Sequence, residues 1–366
     1  ADLRRHGIRM KVFPEHPTLV YRPFTVNKNN YIYLADNGRI HANLDLHDEQ
    51  GTGLSFYTNR EDTIAKQDMT VELSRINLKE FRRILPYMPD MEGWIGAEAH
   101  YIDSGPYMMV SSDLRIDEFK YEGSALGNWE LGGVYLPGEA KDHHLDAYIR
   151  HDGEEIAHLG GIYLPAEEGT GSLSADIAFE HFPLNVANPF VPDRMVELDG
   201  DIDGTLSMKG DPAKPLLNGE LALDSVTFFM PEMSAMFHFD NEPVQVVNSK
   251  MMFKEFDIFT KGKTPFTING EVDFSDLERT AVNLKMHAEN YELLNAPRTK
   301  RAMVYGKMYV DFNATLRGPV EELVMRGNMN ILGKTNVTYV LKDSPLTVND
   351  RLGDMVTFVN FNDTTS

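Results

Sequence analysis

The sequence predicts an all-β protein: one elongated antiparallel meander, strongly curved into a U-shaped groove, with an apolar concave face and one or two short helices. Three observations carry this. Apolar and polar residues alternate at period two along most of the chain, which gathers each strand's apolar side chains on one face. The hexapeptide GGVYLP at Gly132–Pro137 returns as GGIYLP at Gly160–Pro165, 28 residues later. Between the copies lies Asp152-Gly153, a two-residue hairpin signal flanked by alternating runs. A longer repetition relates Met208, Gly210, Leu217, Gly219, Leu221 and Leu223 to Leu316, Gly318, Met325, Gly327, Met329 and Ile331, 108 residues further on. Both copies read as strand, glycine, short loop, and a strand with a glycine partway along.

Taken in chain order, RIHANLDLH (39–47) and DMTVELSRI (68–76) open the strand pattern. Asn77-Leu78-Lys79-Glu80 then has the form of a capping box. It predicts a short amphipathic helix through Phe81, Ile84 and Leu85 that stops before Pro86. The 132–165 repeat supplies a strand pair with tight turns. SLSADIAFEH (172–181) is a further strand, and PLNVANPFVP (183–192) is a second candidate for a short helical turn. GDIDGTLSMKG, PFTINGEVDFSD, TAVNLKMHAE and GKMYVDFNATLRG continue the alternation. In the last of these Met308, Val310, Phe312, Ala314 and Leu316 share one face and Lys307, Tyr309, Asp311, Asn313, Thr315 and Arg317 the other.

A one-faced antiparallel sheet must bury its apolar side against a second sheet, against helices, or by curling on itself. A sandwich is the ordinary solution at about 100 residues, but here the meander continues for several times that length and helical signal is too scarce to cover it. A single bent sheet, lined for something oily, is the alternative the pattern favours. No Gly/Ser-rich, Pro-rich or like-charge block interrupts it, so residues 1–366 read as one elongated body. The opening ADLRRHGIRM and the polar NDTTS at the end suggest a cut from a longer protein.

Composition narrows the function. A net charge of −21 argues against nucleic acid, which needs clustered Lys and Arg, and against adsorption to anionic lipid headgroups. With no cysteine there is neither a disulfide framework nor a thiolate metal site. No run of about 18 apolar residues is present. The sequence has no G-x-S-x-G elbow, phosphate-binding G-x-x-x-x-G-K-[ST] loop or H-E-x-x-H motif. Gly51-Thr52-Gly53 and Gly169-Thr170-Gly171 read as turns. His41, Asp45 and His47 share a wet strand face and have the residue types of a metal site, although solvated strand positions are the plainer account. Asp199, Asp201 and Asp203 admit a calcium site or an acid/base pair, and equally the outward face of a strand in a chain with 56 acidic residues. Met208, Met286, Met308, Met325 and Met329 fall on the oily face as core filling or as lipid contacts, which the sequence does not separate.

GDIDGTLSMKGDPAKPLLNGELALDSVTF (Gly200–Phe228), FDIFTKGKTPFTINGEVDF and YGKMYVDFNATLRGPVEELVMRGNMNILGKTNVTYVL together resemble the TamB family, one of the AsmA-like envelope proteins, in a form similar to those of Bacteroidetes. The resemblance is strongest over 198–361 and extends back toward Leu73. It implies a U-shaped groove, a β-taco, in the periplasm of the bacterial envelope. It also implies a scaffold without enzymatic activity or cofactor that carries phospholipid or another acyl-chain ligand between inner and outer membrane, assists translocation and assembly of outer-membrane proteins, or both. An inner-membrane anchor on the full-length protein and an outer-membrane β-barrel partner (TamA/BamA-like) follow from the same likeness.

The expected groove lining is Ile202, Leu206, Met208, Leu217, Leu221, Leu223, Phe266, Ile268, Val272, Phe274, Val282, Leu284, Met286, Met308, Val310, Phe312, Leu316, Met325, Met329 and Ile331. Phe312 should face the groove and Asn313 water, and the sheet edge near Asn336–Leu341 should recruit a partner strand. Keeping an acyl chain of about sixteen carbons out of water is worth on the order of 13 kcal/mol, at about 0.8 kcal/mol per methylene. The alternative from another class is an extracellular all-β carbohydrate-active enzyme or glycan-binding module. It would need aromatic platforms beside clustered acids, whereas the only two tryptophans, Trp94 and Trp129, have no such convergence.

Overall fold

A computed structural model describes residues 2–4, 7–13, 15–19, 22–59, 65–84, 87–105, 108–138, 142–166, 169–191, 194–239, 242–298 and 303–340. The first strands are short: β1 (Asp2–Arg4), β2 (Gly7–Met10), the small pair β3 (Thr18–Leu19) and β4 (Arg22–Pro23), β5 (Thr25–Val26), β6 (Tyr31–Ala35), β7 (Ile40–His47) and β8 (Gly53–Thr58). Long strands follow: β9 (Gln67–Asn77), β10 (Met91–Asp103), β11 (Met108–Tyr121), β12 (Ser124–Pro137), β13 (His143–His151), β14 (Glu154–Leu164), β15 (Ser172–Pro183), β16 (Glu197–Gly210) and β17 (Leu216–Met230). The series ends with β18 (Ala235–Phe239), β19 (Val244–Val247), β20 (Lys250–Phe259), β21 (Phe266–Asp273), β22 (Ala281–Ala296), β23 (Val304–Pro319), β24 (Val324–Ile331) and β25 (Asn336–Tyr339).

All but β3 and β4 join one 23-stranded antiparallel sheet. From β6 to β17 each strand pairs with the next in sequence, a meander as the sequence predicts. The Asp152-Gly153 turn has positive φ at both residues (49° and 91°), the geometry of a type I′ hairpin. The two GG-x-Y-L-P copies lie on β12 and β14 and flank β13. Tyr135 stacks on His143 with ring centroids 4.8 Å apart, and Tyr163 approaches the same ring from the other side at 6.2 Å. The 108-residue repetition corresponds to two hairpins, β16–β17 and β23–β24, with Met208 opposite Leu217 and Leu316 opposite Met325.

Helix α1 spans Leu78–Ile84. Its cap is half of the expected box: Lys79 N donates to Asn77 Oδ1 at 3.0 Å, while Glu80 turns away to pair with Arg22. Leu85 and Pro86 lie outside the described residues. The second predicted turn is a 3-10 segment, Leu184–Phe190.

The sheet bends because its strands carry bulges. Arg75, Glu118, His181, Ser225, Glu255 and Asn290 take left-handed φ values of 48–52° inside strands. Each accompanies a register shift, for example between Phe179 and Phe182 or between Ala288 and Tyr291. A bulge bends its strand and sharpens the local twist, so repeating it from strand to strand creases the sheet lengthwise. A non-glycine residue in this region costs roughly 1–2 kcal/mol, and the next strand supplies compensation. The N–H groups of Glu118, His181, Glu255 and Asn290 donate to Asn128 Oδ1 (2.9 Å), Asp203 Oδ1 (2.8 Å), Asn269 Oδ1 (2.9 Å) and Asp311 Oδ1 (2.7 Å).

Candidate functional site

Register turns the alternation into continuous apolar rows. One row crosses thirteen strands: Val26, Leu46, Leu54, Leu73, Ala97, Leu114, Leu131, Ile149, Ala157, Phe179, Gly204, Leu221 and Val244 face one another in succession. At about 4.8 Å per strand it runs roughly 60 Å. A parallel row includes Val71, Ala99, Ser112, Gly133, Ala147, Leu159, Ile177, Leu206, Gly219, Val246, Met251, Val272 and Val282, with Ser112 its one polar member in this stretch. No charge interrupts either row.

From β9 to β16 the trough is open. Leu131 on the apolar face is 38% exposed, nearly the same as Val134 on the opposite, polar face at 36%. Small residues line its floor: Ala99, Ser112, Gly133 and Ala147 are successive partners. Gly161 lies so close to β15 that an added Cβ would come within 2.4 Å of Ala175 Cβ. The chain exposes 23965 Å², against roughly 15,000 Å² for a compact protein of 41.4 kDa.

From β17 onward the same face fills itself. Ala235, Phe237, Val244, Phe256, Ile258, Leu294 and Ala296 form a buried cluster against which Phe228, Phe239, Phe253, Phe266, Ile268 and Met308 pack. Phe228 stacks on Phe237 at 4.5 Å. A second buried group, Ala288, Tyr291 and Val310, shares Phe266 and Met308 with the first and adds Phe312. The Glu232 carbonyl accepts from Met303 N at 3.2 Å, clasping the β17–β18 turn to the start of β23. Tyr291 Oη is buried, and burial pushes its phenol pKa far above the ordinary value.

The twenty expected lining residues fall into three environments. Ile202, Leu206, Met208, Leu217, Leu221 and Leu223 occupy β16 and β17 where the open trough meets the cluster, with Leu206 buried. Phe266, Ile268, Val272, Val282, Leu284, Met286, Met308, Val310, Phe312 and Leu316 lie on β21–β23, with Met286 and Val310 buried and the rest half-buried. Phe274 sits just past β21, half-buried. Met325, Met329 and Ile331 line the β24 edge at 57%, 51% and 61% exposure. Among the methionines, Met286 is therefore core while Met325 and Met329 are open to solvent.

The polar candidates resolve into local structure. His47 Nδ1 lies 2.7 Å from Asp45 Oδ1, which also accepts from Ser55 Oγ, and His41 stacks near Tyr33. Among the described residues no group of three His, Asp or Glu is arranged to hold a metal ion. Asp203 caps the His181 bulge, and a bulge separates Asp199 from Asp201. Trp94 sits under Arg75, whereas Trp129 stacks with His151 at 4.7 Å. The bulges and their caps were missed from sequence; the available signal was an Asn or Asp on the wet side of the following strand.

Residues 255–365 match the family model of the TamB C-terminal domain. That match supports assignment to the TamB family and a TamB-like role at the cell envelope in general. The matched stretch begins within β20 and takes in part of the closed cluster and the β24 edge. No curated protein and no solved structure matches the chain. Among the described residues no helix is long and apolar enough to cross a membrane.

Proposed function

We propose that this member of the TamB family is a non-enzymatic periplasmic scaffold whose trough shelters phospholipid acyl chains between inner and outer membrane. The observation that carries the reading is the pair of unbroken apolar rows. They offer roughly 60 Å of continuous non-polar track, wide where the floor is small and with no charge to desolvate. In this reading the lining residues on β16 and β17 contact lipid, and those on β21–β23 hold the groove's shape.

The test uses two substitutions at positions matched in exposure. Leu131→Asp puts a carboxylate in the trough, where passing acyl chains would have to desolvate it at a cost of several kcal/mol. Val134→Asp puts the same group on the opposite, polar face, between Ser111 and Asp146. Mass spectrometry of organic extracts from purified protein is expected to find phospholipid on wild type and Val134→Asp and much less on Leu131→Asp. Equal lipid on both folded variants refutes the trough reading. Absence of lipid from wild type together with glycan binding favours the carbohydrate-binding alternative.

Assistance to outer-membrane protein assembly draws on a separate feature. Every residue of β24 is exposed, and β25 pairs with β23 only over Val304–Lys307. Among the described residues β24 pairs only with β23, and an edge with apolar Met325, Met329 and Ile331 on one face suits strand addition by a β-barrel assembly partner. Of the segment expected to recruit it, Asn336–Tyr339 forms β25 and Leu341 lies outside the described residues. Arg326→Pro, near the middle of the outer edge, should abolish capture of such a partner if β24 is the docking strand. Unchanged capture by a folded variant sinks this half of the reading.

A further inference from the structure

The 3-10 segment Leu184–Phe190 roofs a cavity of about 550 Å³ at the rim of the open trough. This is within the usual range for small-molecule sites, about 300–1,000 Å³. The roof is held near its C-terminal end. Asn188 mimics a strand partner, its Nδ2 donating to Leu198 O at 2.8 Å and its Oδ1 accepting from Leu198 N at 2.6 Å. Phe190 packs on Tyr121 with centroids 4.6 Å apart. Leu126, buried, and Val186 give the cavity apolar walls.

Its charged groups are one guanidinium and two carboxylates. Arg194 Nη2 donates to Ser124 Oγ at 3.3 Å and has no carboxylate partner among the described residues. Glu197 forms no ion pair among them. Asp152 uses Oδ1 to accept from Asn128 N (2.8 Å) and Nδ2 (2.9 Å), leaving Oδ2 toward His151 Nε2 at 3.7 Å. The cavity borders the apolar face: its lining residue Leu126 accepts from Trp129 Nε1 at 2.8 Å, and Trp129 stands two residues from Leu131 in the long row.

A lone anion suits this cavity poorly, since two carboxylates face it within a chain of net charge −21. A zwitterion satisfies both signs. We infer that the cavity seats the headgroup of a phosphoethanolamine lipid, with the phosphodiester on Arg194, the ammonium between Glu197 and Asp152, and the acyl chains entering the trough past Trp129. A guanidinium gives phosphate charge-assisted hydrogen bonds with geometric specificity. The inference rests on the trough reading and adds selectivity to it.

The full chain would be incubated with vesicles of phosphatidylethanolamine, phosphatidylglycerol or diacylglycerol of identical acyl composition, and bound lipid measured after separation. Wild type is expected to take the ethanolamine lipid ahead of the glycerol one. Arg194→Gln should lower ethanolamine-lipid uptake about tenfold, the loss of one charge-assisted contact, and leave diacylglycerol uptake unchanged. Glu197→Gln should narrow the gap between the two phospholipids. Circular dichroism on both variants controls for folding, and Arg194→Lys should recover part of the uptake.

Uptake of all three lipids by Arg194→Gln at wild-type levels overturns the headgroup site and leaves the trough standing. Failure of every protein to take any lipid overturns the trough and this inference with it. Glycerophosphoethanolamine, which has no acyl chains, is expected to compete weakly. Competition as strong as the intact lipid's would assign the cavity to a soluble phosphoester and overturn the proposal.

Discussion

The trough from β9 to β16 and the stretch from β17 to β23 are written in the same alternation and belong to the same sheet, yet one stays open and the other closes on itself. The difference is side-chain volume. Ala99, Ser112, Gly133 and Ala147 cannot meet across the crease, so their strands keep a cleft. Phe228, Phe237, Phe253, Phe256 and Phe266 reach one another and expel water from the same face. Periodicity decides which side of a sheet is oily, and residue size decides whether that side is a core or a channel.

The largest expected effect separates the two regions by stability. Leu294 is 0% exposed in the closed cluster, so Leu294→Ala should cost about 2–5 kcal/mol. Leu131→Ala in the open trough removes a side chain that is already partly in water and should cost under about 1 kcal/mol. Urea midpoints followed by circular dichroism measure both, and similar losses would mean that the trough is packed as well. Phe312→Asp comes next. Phe312 packs on Phe266 with centroids 5.5 Å apart, and a carboxylate there should destabilise by several kcal/mol. Asn313→Asp keeps the acceptor 2.7 Å from His287 Nδ1 and should melt like wild type. A folded, stable Phe312→Asp would show that the closed half is looser than its contacts imply.

A smaller effect concerns the crease both regions share. Asp311→Ala leaves the Asn290 N–H without its acceptor and should cost about 1 kcal/mol. Asn290→Gly removes the left-handed strain and should recover part of that in the double variant. No recovery would mean that the cap acts through something other than the bulge.

The smallest expected effect is on pH. Burial would raise the Asp48 pKa, but the N–H groups of Thr52 and Gln50 and the Arg22 guanidinium outweigh it and hold the carboxyl below its ordinary value. A depressed carboxylate contributes stability above its unfolded pKa and loses it as pH falls through the folded one. Protonating Asp48 releases its contact with Arg22, so below about pH 4 acid should loosen the open end before the apolar cluster. Trp94 and Trp129 both lie in the trough strands. Their fluorescence should therefore change at a higher pH than far-ultraviolet circular dichroism, and coincident transitions would break the contrast.

Much of this molecule is legible along the chain. Alternation placed Val310 and Phe312 opposite Asp311 and Asn313, Asp152-Gly153 marked its hairpin, and Asn77 marked the start of α1. Each depends on neighbours within a few residues, where backbone geometry leaves little choice. Recurrence of a glycine-containing strand pair 108 residues apart likewise announced two equivalent hairpins.

Only the tertiary structure decided where the sheet bends, which rows line up and which part of the apolar face is filled. Glu118 and Glu255 carry no mark of left-handed backbone, and His181 and Asn290 only the mild preference of their type, because the bulges are held by Asn128, Asp203, Asn269 and Asp311 arriving from the next strand. Arg194, Glu197 and Asp152 are unremarkable as single letters and acquire a common purpose when the 184–190 segment folds over them. The physical reason is range: side-chain direction is set by adjacent peptides, whereas curvature, cavity and charge pairing are set by groups that sequence separates and register brings together.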